Sequence, residues 1–284
     1  MILITGASGN VGKEVLKQAA GLGIKVRAAF QTARKAATAP SGVEIATVDF
    51  NQPETLQAAL KGVDKVFLVG PPAQNLVALE RKAVDAIKRS GAAHILKLSE
   101  MGGRGAIFPR QHADSEDYIK SSGVPCTFLR PNGFMQNLSL YNASTINTQN
   151  AFYGCQSDGK VSHIDLRDVA AVAVKVLTTE GHEGKAYTLT GPRALTNAEL
   201  AQILSDDLGR DINYVDLPVD KFKQALIGAG VPEWNADALI DLQLFYRNGG
   251  ASDVANDVAQ LLGHKPRSFE QFSRDYKAAF QRVA

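Results

Sequence analysis

The sequence predicts an α/β fold, a doubly wound parallel sheet of the Rossmann type with a smaller, mainly helical C-terminal cap domain. Two observations predict it. Short, almost wholly apolar runs alternate with helical periodicities over the first 130 residues, and three glycines follow the first run at intervals of three. Apolar strands separated by amphipathic helices indicate a parallel sheet covered on both faces. Right-handed crossovers then make the sheet doubly wound.

The elements of the first domain are predicted from these patterns in chain order. The apolar runs that predict strands are Ile2–Thr5, Lys25–Phe30, Val43–Val48, Lys65–Val69, His94–Leu98 and Pro125–Arg130. The helical periodicities between them are Val11–Ala20, Pro53–Leu60, Leu76–Ser90 and His112–Ser121. Runs of four to eight apolar residues are typical of buried strands, and spacings of three and four are typical of helices.

After Arg130 the pattern becomes mainly helical. The elements predicted up to residue 190 are helices Phe134–Ile146 and Leu166–Leu177 and short strands Ala151–Tyr153 and Ala186–Thr190. Thr196 with Glu199 forms a capping-box pattern, and Ser268 is a second helix start signal. We therefore expect a dinucleotide-binding domain over residues 1–150, to which 160–180 returns, and a smaller substrate-side domain over 181–284.

The composition argues against several classes of protein. The 284 residues include 31 basic and 29 acidic side chains, and no run of five Lys or Arg occurs, so we expect neither a nucleic-acid nor a membrane partner. No stretch approaches the ~20 apolar residues of a membrane helix. A first strand at Ile2 leaves no room for a signal peptide. Cys126 and Cys155 form neither a disulfide framework nor a metal site. We expect a cytoplasmic monomer or homodimer.

The glycine-rich loop after the first strand is the most informative segment. Thr5 is followed by Gly6-Ala-Ser-Gly-Asn-Val-Gly12, which leads into a helix. The first glycine permits a tight turn, the second lets the backbone approach a pyrophosphate, and the third allows close helix packing. Exposed N–H groups and the helix dipole then favour an anion. We predict dinucleotide contacts from Gly6, Ala7, Ser8, Gly9, Asn10, Val11 and Gly12; the alternative is a structural turn.

The end of the second strand indicates which dinucleotide is bound. An acidic residue about 20 residues beyond the loop would bind the ribose hydroxyls of NAD, and a basic residue would suit the 2′-phosphate of NADP. The segment Phe30–Lys35 contains no acid and two cations. We therefore favour NADP(H) over NAD(H), with Gln31 and Arg34 as contacts. The alternative is a solvated loop.

Three further segments carry a family resemblance. They are Val48-Asp49-Phe50, Leu129-Arg-Pro-Asn-Gly-Phe-Met-Gln-Asn137, and His163-Ile-Asp-Leu-Arg-Asp168-Val-Ala with Tyr187-Thr-Leu-Thr-Gly-Pro192. With the glycine loop, they resemble the NmrA-like atypical short-chain dehydrogenase/reductases over nearly the whole chain. That family includes NAD(P)H-dependent quinone, azo-dye and triphenylmethane-dye reductases, phenylpropanoid reductases, and members that sense the cofactor without catalysis.

The resemblance implies further site residues. Asp49 and Phe50 would flank the adenine, and Pro131 would lie beside the nicotinamide, with Phe134 and Met135 in the substrate pocket. Val69, Gly70 and Pro71, after the fourth strand, would frame the ribose and nicotinamide. Each assignment has a structural alternative: Asp49 could cap the helix near Pro53, and Pro131 could simply end a strand. We interpret Asp165 and Asp168 as structural.

The usual short-chain dehydrogenase machinery is incomplete in this sequence. Such enzymes use a Ser after the fifth strand and a Tyr–x–x–x–Lys motif, whose Tyr passes a proton to or from the substrate. Ser99 is present, but the positions of Tyr and Lys are His112 and Glu116, and no Tyr has Lys four residues later. This argues against an ordinary alcohol dehydrogenase or sugar-nucleotide epimerase.

His112 occupies the position at which phenylpropanoid reductases carry a catalytic Lys. We expect it in the cofactor site, where it would bond the ribose or donate a proton to the acceptor. The alternative is a histidine that caps or packs the first turn of its helix. Trp234, Phe245 and Tyr246 fall in the predicted cap, where core packing and a substrate-pocket wall are both open; we keep Trp234 as a substrate contact.

Two functions remain open at this point, and a third, a reductase of plant-type phenylpropanoids, is disfavoured because His112 replaces the expected Lys. The first is an NADPH-dependent reductase of quinones or similar flat conjugated acceptors, which needs little beyond alignment of cofactor and acceptor. The second is a non-catalytic NADP(H)-binding redox sensor. The loop around Pro131 and a cap large enough to enclose a small-molecule substrate favour the reductase.

Overall fold

A computed structural model describes residues 1–37 and 39–281. Its strands are β1 (Ile2–Ile4), β2 (Val26–Phe30), β3 (Glu44–Thr47), β4 (Lys65–Leu68), β5 (His94–Leu98), β6 (Cys126–Pro131), β7 (Ala151–Gly154), β8 (Ala186–Leu189) and β9 (Asn213–Asp216). Seven of them form one sheet in the order β3-β2-β1-β4-β5-β6-β8, and β7 pairs with β9 in a small second sheet. The pairs from β3 to β6 are all parallel, which confirms the predicted fold class.

The described helices follow the same chain order. They are α1 (Asn10–Gly21), α2 (Ala33–Ala36), α3 (Pro53–Ala59), α4 (Leu76–Ser90), α5 (Ile107–Ser122), α6 (Ala143–Gln149), α7 (Leu166–Thr178), α8 (Asn197–Leu208), α9 (Val219–Gly228), α10 (Glu233–Arg247), α11 (Asp257–Leu262) and α12 (Phe269–Asp275). A π-helical turn covers Leu138–Asn142, and a 3-10 turn covers Lys277–Phe280. Over the described ranges, none of these helices has the length and apolar character needed to span a bilayer.

The elements differ from the predicted ones at several places, and the short helix α2 was not predicted. Helix α5 begins at Ile107 rather than at His112, and the Asp241 carboxylate accepts a hydrogen bond (2.7 Å) from its first backbone N–H. The helix predicted over Phe134–Ile146 is divided into the π-helical turn and α6. Strand β9 was not predicted, because it is short and partly exposed and depends on pairing with β7.

Packing divides the chain into two compact units made of separate stretches. The first unit comprises Met1–Glu100, Gln111–Arg130 and Leu166–Thr188. The second comprises Met101–Arg110, Pro131–Asp165 and the part from Leu189 onward. The sequence analysis expected 1–150 with 160–180 in one domain and 181–284 in the other, whereas Met101–Arg110 and Pro131–Asp165 pack in the second unit, because tertiary contacts, not chain order, decide where a segment packs. Helix α7 belongs to the first unit, where it packs against α1.

Each unit has its own apolar core. In the first, the sheet is buried between helices, and Leu3, Val66 and Leu68 are fully inaccessible to solvent. In the second, the core is an aromatic and aliphatic cluster that includes Phe269 and Phe272. The predicted capping box at Thr196 is present in full, and the Ser268 hydroxyl caps α12.

Candidate active site

The strand order reverses between β1 and β4. From β1 the chain builds outward through β2 and β3 on one side and through β4, β5 and β6 on the other. A crevice at such a switch point, at the carboxyl ends of the strands, is where ligands bind in open α/β sheets. The buried Thr5 hydroxyl joins the two strand ends, because it donates to the Val69 carbonyl (3.0 Å) and accepts from the Val69 N–H (2.7 Å). Sequence patterns did not single out Thr5.

The loop after β1 requires its glycines for steric reasons. Gly6 has a φ of +61°, and a Cβ there would stand 2.9 Å from the Val69 side chain. The Gly9 N–H donates to the Gly6 carbonyl at 2.9 Å, which closes the turn. A Cβ on Gly12 would stand 2.3 Å from that same carbonyl oxygen. Turn, loop and helix are therefore packed backbone against backbone.

The start of α1 is suited to an anion. Its N-cap is Gly9, which provides no side-chain cap, and its first turn holds no acid. Gly9 and Asn10 are exposed and Ser8 is partly exposed, whereas the side chains of Ala7 and Val11 are buried. The loop thus presents mainly backbone N–H groups, and these residues fit the pyrophosphate of a dinucleotide.

The segment after β2 presents a cation and no carboxylate. Gln31 and Arg34 are both exposed. The Thr32 hydroxyl caps α2, so Arg34 lies on a short helix directly beyond the strand. Within residues 1–37 and 39–281, Arg34 has no ion-pair partner. An unpaired guanidinium suits a phosphate better than a ribose diol.

Asp49 after β3 is engaged within its own loop. Its carboxylate accepts from the Asn51 N–H (2.8 Å) and from the Gln52 side-chain amide (3.5 Å). The Thr55 hydroxyl donates to its carbonyl at 3.1 Å. These bonds stabilise a local turn; they do not cap α3, whose N-cap is Gln52 and has no side-chain cap. Phe50 is half-buried against the first unit's core and keeps part of its ring exposed.

Val69, Gly70 and Pro71 follow β4, with Pro71 exposed and the other two half-buried. A Cβ on Gly70 would stand 2.4 Å from an oxygen of the Glu80 carboxylate. The glycine therefore makes room for a buried acid, a role separate from the cofactor contact predicted for it.

Glu80 belongs to a buried polar network that the sequence analysis did not predict. Glu80 and Lys97 are both fully buried, and Lys97 Nζ lies 2.7 Å from Glu80 Oε1. The Ser115 hydroxyl donates to the other carboxylate oxygen. Lys97 Nζ also donates to the Leu98 carbonyl and lies 3.1 Å from Nδ1 of His112. The sequence does contain a sign of this network, since Lys97 is a charged residue within the apolar run His94–Leu98.

His112 faces a second acid at the end of β5. Its Nε2 lies 4.0 Å from Oε2 of Glu100, and each side chain keeps about a fifth of its surface exposed (20% and 22%). Burial, with the Lys97 charge, lowers the pKa of His112 well below its usual value. Burial raises the pKa of Glu100 to about 8. At neutral pH the imidazole is therefore uncharged and the carboxyl protonated, which opposes the expectation that His112 donates a proton as imidazolium.

The remaining positions of the usual dehydrogenase machinery have structural partners. The Ser99 hydroxyl donates to Glu116 Oε1 (2.6 Å), which also accepts from Arg130 Nε (2.9 Å). Burial alone would raise the pKa of Glu116, but the hydrogen bonds from Arg130 and Ser99 outweigh it and the pKa is lowered. Tyr118 donates to Asp85 at 2.7 Å. The Ser99 hydroxyl is thus part of an ion-pair network.

The other predicted positions lie in the second unit. Pro131 ends β6, and its carbonyl accepts from the Met101 N–H at 3.0 Å. Phe134 is half-buried and pairs with Ile164 in an isolated bridge. Met135 is only 2% exposed and packs in the second unit's core, so its side chain offers a ligand little surface.

Three glycines form a socket for the Phe245 ring. A Cβ on Gly102, Gly105 or Gly250 would approach that ring to 3.0, 2.3 or 2.1 Å. Nearby, Trp234 meets Phe108 edge to face with 5.7 Å between ring centres. Both contacts tie residues 101–110 to α10. Phe245 therefore packs in the second unit, the first of the two roles left open for it.

A glycine loop packed against the switch point of a doubly wound parallel sheet defines a dinucleotide-binding α/β protein. Across the described ranges there is no cluster of three or more His, Cys, Asp or Glu that could hold a metal. Residues 1–273 match the NmrA-like family, and the chain belongs to that family.

Several similar proteins are reductases. A NAD(P)H azoreductase of Xenophilus azovorans is 37% identical over 284 residues, which cover 99% of each chain. Two solved structures, each 28% identical and covering 98% of this chain and 100% of the other, have the same fold. One is an NADPH-dependent quinone oxidoreductase of Escherichia coli complexed with NADPH (TM-score 0.89). The other is a triphenylmethane reductase of Citrobacter sp. complexed with NADP(H) (TM-score 0.88).

Proposed function

We propose that this protein is an NADPH-dependent reductase that transfers a hydride to quinones and similar flat conjugated acceptors, azo compounds among them. The observation that carries the proposal is the sterically fixed glycine loop at the switch point, in a chain alike over its whole length to a NAD(P)H azoreductase. The alternative, a non-catalytic redox sensor, receives no such support from these three relatives.

The residues at the carboxyl ends of β1 to β4 bind and orient the cofactor. Gly6–Gly12 would hold the pyrophosphate at the start of α1, and Arg34 with Gln31 would bind the 2′-phosphate. Phe50 would contact the adenine, and the backbone of Val69–Pro71 would contact the ribose and nicotinamide. The bound cofactor supplies the hydride; the protein contributes proximity and orientation, worth several kcal/mol in such reactions.

We assign Phe134 and Trp234 as the acceptor-side contacts, because both keep part of their aromatic surface exposed. Met135 is buried in the second unit's core, and we assign it no contact with the acceptor. Both cysteines are buried free thiols, which suits the reducing cytoplasm that we propose for this protein. We propose a small-molecule acceptor and no macromolecular substrate.

Turnover against a panel of acceptors tests this function. Loss of reduced-nicotinamide absorbance is followed by stopped flow, with NADPH and NADH, against quinones and azo dyes. We expect turnover with at least one acceptor class and a preference for NADPH. Tight cofactor binding without turnover would favour the sensor instead.

Two variants test the preference for NADPH over NADH. Arg34→Ala should weaken NADPH binding by about tenfold or more, equivalent to about 1.4 kcal/mol, and leave NADH binding nearly unchanged. Lys35→Ala removes the same charge one residue away and serves as the matched control. Equal losses for both cofactors in Arg34→Ala would reject Arg34 as the 2′-phosphate contact.

A further inference from the structure

We propose that the Glu100 carboxyl is the proton donor of the reduction, and that His112 is a neutral hydrogen-bond donor beside it. The proposal rests on the proposed reductase function and assigns roles that the motif-based reading did not give. It follows from a chain of contacts through Glu80, Lys97, His112 and Glu100, all of them in the first unit.

Lys97 determines which nitrogen of His112 carries the proton. An ammonium group has three N–H donors and no acceptor. Lys97 Nζ donates to the Leu98 carbonyl, forms an ion pair with Glu80 Oε1 (2.7 Å) and lies 3.1 Å from Nδ1 of His112. Nδ1 must therefore accept, and the proton of the neutral ring resides on Nε2. The Nε2–H is the side of the ring that faces Glu100.

The same charge prevents His112 from acting as the acid. Protonating Nδ1 would place two cations 3.1 Å apart in a buried site. Glu80 compensates the charge of Lys97 only, since its second oxygen already accepts from Ser115. His112 is thereby left as a neutral donor, comparable in kind to neutral imidazoles that polarise a carbonyl in other enzymes.

Glu100, unlike His112, has the properties of a proton donor. Its carboxyl is held at the end of β5 with about a fifth of the side chain exposed (22%), so a bound molecule can reach it. The titratable groups that face it are Lys97 on β5 and His112 on α5, with Glu80 on α4 behind Lys97. The Lys97 charge lowers its pKa, but burial outweighs that effect and raises the pKa to about 8. A carboxyl that is protonated at neutral pH is a proton source matched to such a reaction.

The position of Glu100 places the proton near the hydride. Strand β5 neighbours β4 in parallel, so its carboxyl end lies beside the segment Val69–Pro71. That segment is the part of the proposed cofactor site nearest β5. A flat acceptor stacked there would meet the carboxyl at the same edge of the sheet.

The step balances for a quinone. The acceptor takes a hydride, which carries two electrons, and becomes the hydroquinone monoanion, while the dihydronicotinamide is oxidised. The O–H bond of Glu100 then breaks, and an O–H bond forms on the anionic oxygen to give the hydroquinone. The Glu100 carboxylate recovers its proton from water. A cationic triphenylmethane dye differs, because hydride alone completes its reduction and no proton is needed.

The protonation state is tested without turnover. Glutamate side-chain carboxyls labelled with ¹³C are titrated by NMR in the protein without cofactor. We expect one carboxyl to titrate near pH 8, and its signal to disappear in Glu100→Gln. Titration of every glutamate well below neutral pH would overturn the proposal.

The catalytic role is tested with two acceptors. Glu100→Gln should lower kcat for a quinone by about 10² or more, the usual contribution of a positioned acid. It should change kcat for a cationic triphenylmethane dye by less than about twofold, because that reaction takes up no proton. Glu100→Asp, which keeps a carboxyl, should recover part of the quinone activity. Glu54→Gln removes an exposed carboxylate in the first unit and is the control.

The possible results separate this proposal from the proposed function. If wild-type protein reduces both acceptors and Glu100→Gln loses both equally, Glu100 acts in binding or folding and the proton-donor role is wrong. Unchanged quinone turnover in Glu100→Gln would likewise show that Glu100 is not the proton donor. A wild-type protein that reduces neither acceptor overturns the reductase function itself, and with it the reaction that Glu100 would serve.

Discussion

Replacing Gly12 by alanine tests whether the glycine loop is fixed by backbone packing. The added Cβ would lie 2.3 Å from the Gly6 carbonyl oxygen and 3.0 Å from the Ala7 Cα, whereas ordinary contact begins near 3.4 Å. All the obstructing atoms are backbone, so loop and helix must separate by about 1 Å. Overpacking of this kind costs about 1–3 kcal/mol. Loss of the bond from Gly9 to the Gly6 carbonyl adds about 1 kcal/mol, and alanine's helix propensity returns about the same.

The net expectation is a free energy of unfolding lowered by about 1–3 kcal/mol and NADPH binding weakened at least tenfold. Urea denaturation and calorimetric titration with NADPH measure the two effects. Gly21→Ala is the matched control, because Gly21 ends the same helix and a Cβ there meets nothing within 4 Å. It should be neutral or slightly stabilising and bind normally. If Gly12→Ala matched this control in both assays, the steric account of the loop would be wrong.

Three other perturbations follow from the buried groups. Burial lowers the pKa of His163 to about 4 from 6.5, so the unfolded chain binds a proton that the native chain does not, and stability should rise with pH through that window. His163→Asn should remove up to roughly 3 kcal/mol of this dependence in urea denaturation at several pH values, and an unchanged slope would contradict it. Lys97→Met leaves Glu80 buried without its cation and should cost about 3–5 kcal/mol of unfolding free energy, much of it recovered in Lys97→Met/Glu80→Gln; additive losses would refute the pairing. Phe245→Ala empties the glycine socket and should cost about 3 kcal/mol and speed hydrogen exchange over residues 102–107, whereas exchange as slow as in the wild type would show that the ring does not hold that segment.

The fold class and the family were predictable because their signals are local. A strand's apolar run and a helix's periodicity are set by the backbone over a few residues, and the spacing Gly6–Gly9–Gly12 is fixed by one turn. The matching family model and the parallel sheet confirm both predictions. Relatives named as NAD(P)H-dependent reductases likewise bear out the expected class of activity.

Assignments that depended on one side chain with two possible partners were less predictable. Asp49 could cap the helix near Pro53 or contact adenine, and its bonds to Asn51 and Gln52 depend on the loop conformation that folding imposes. Met135 stands next to Phe134 in the sequence, yet it is 2% exposed. Exposure is a property of everything that packs around a residue, so a motif alone does not report it.

By itself, the sequence determined the doubly wound sheet, the glycine loop and the absence of an acid after the second strand, because each of these features depends on residues that are close together in the chain. Only the tertiary structure decided that Glu80, Lys97, His112 and Glu100 form one network. Lys97 on β5 and Glu80 on α4 lie 17 positions apart and meet only in the folded chain. The pKa shifts of His112 and Glu100 follow from that burial, since removing a charged group from water disfavours its charged form.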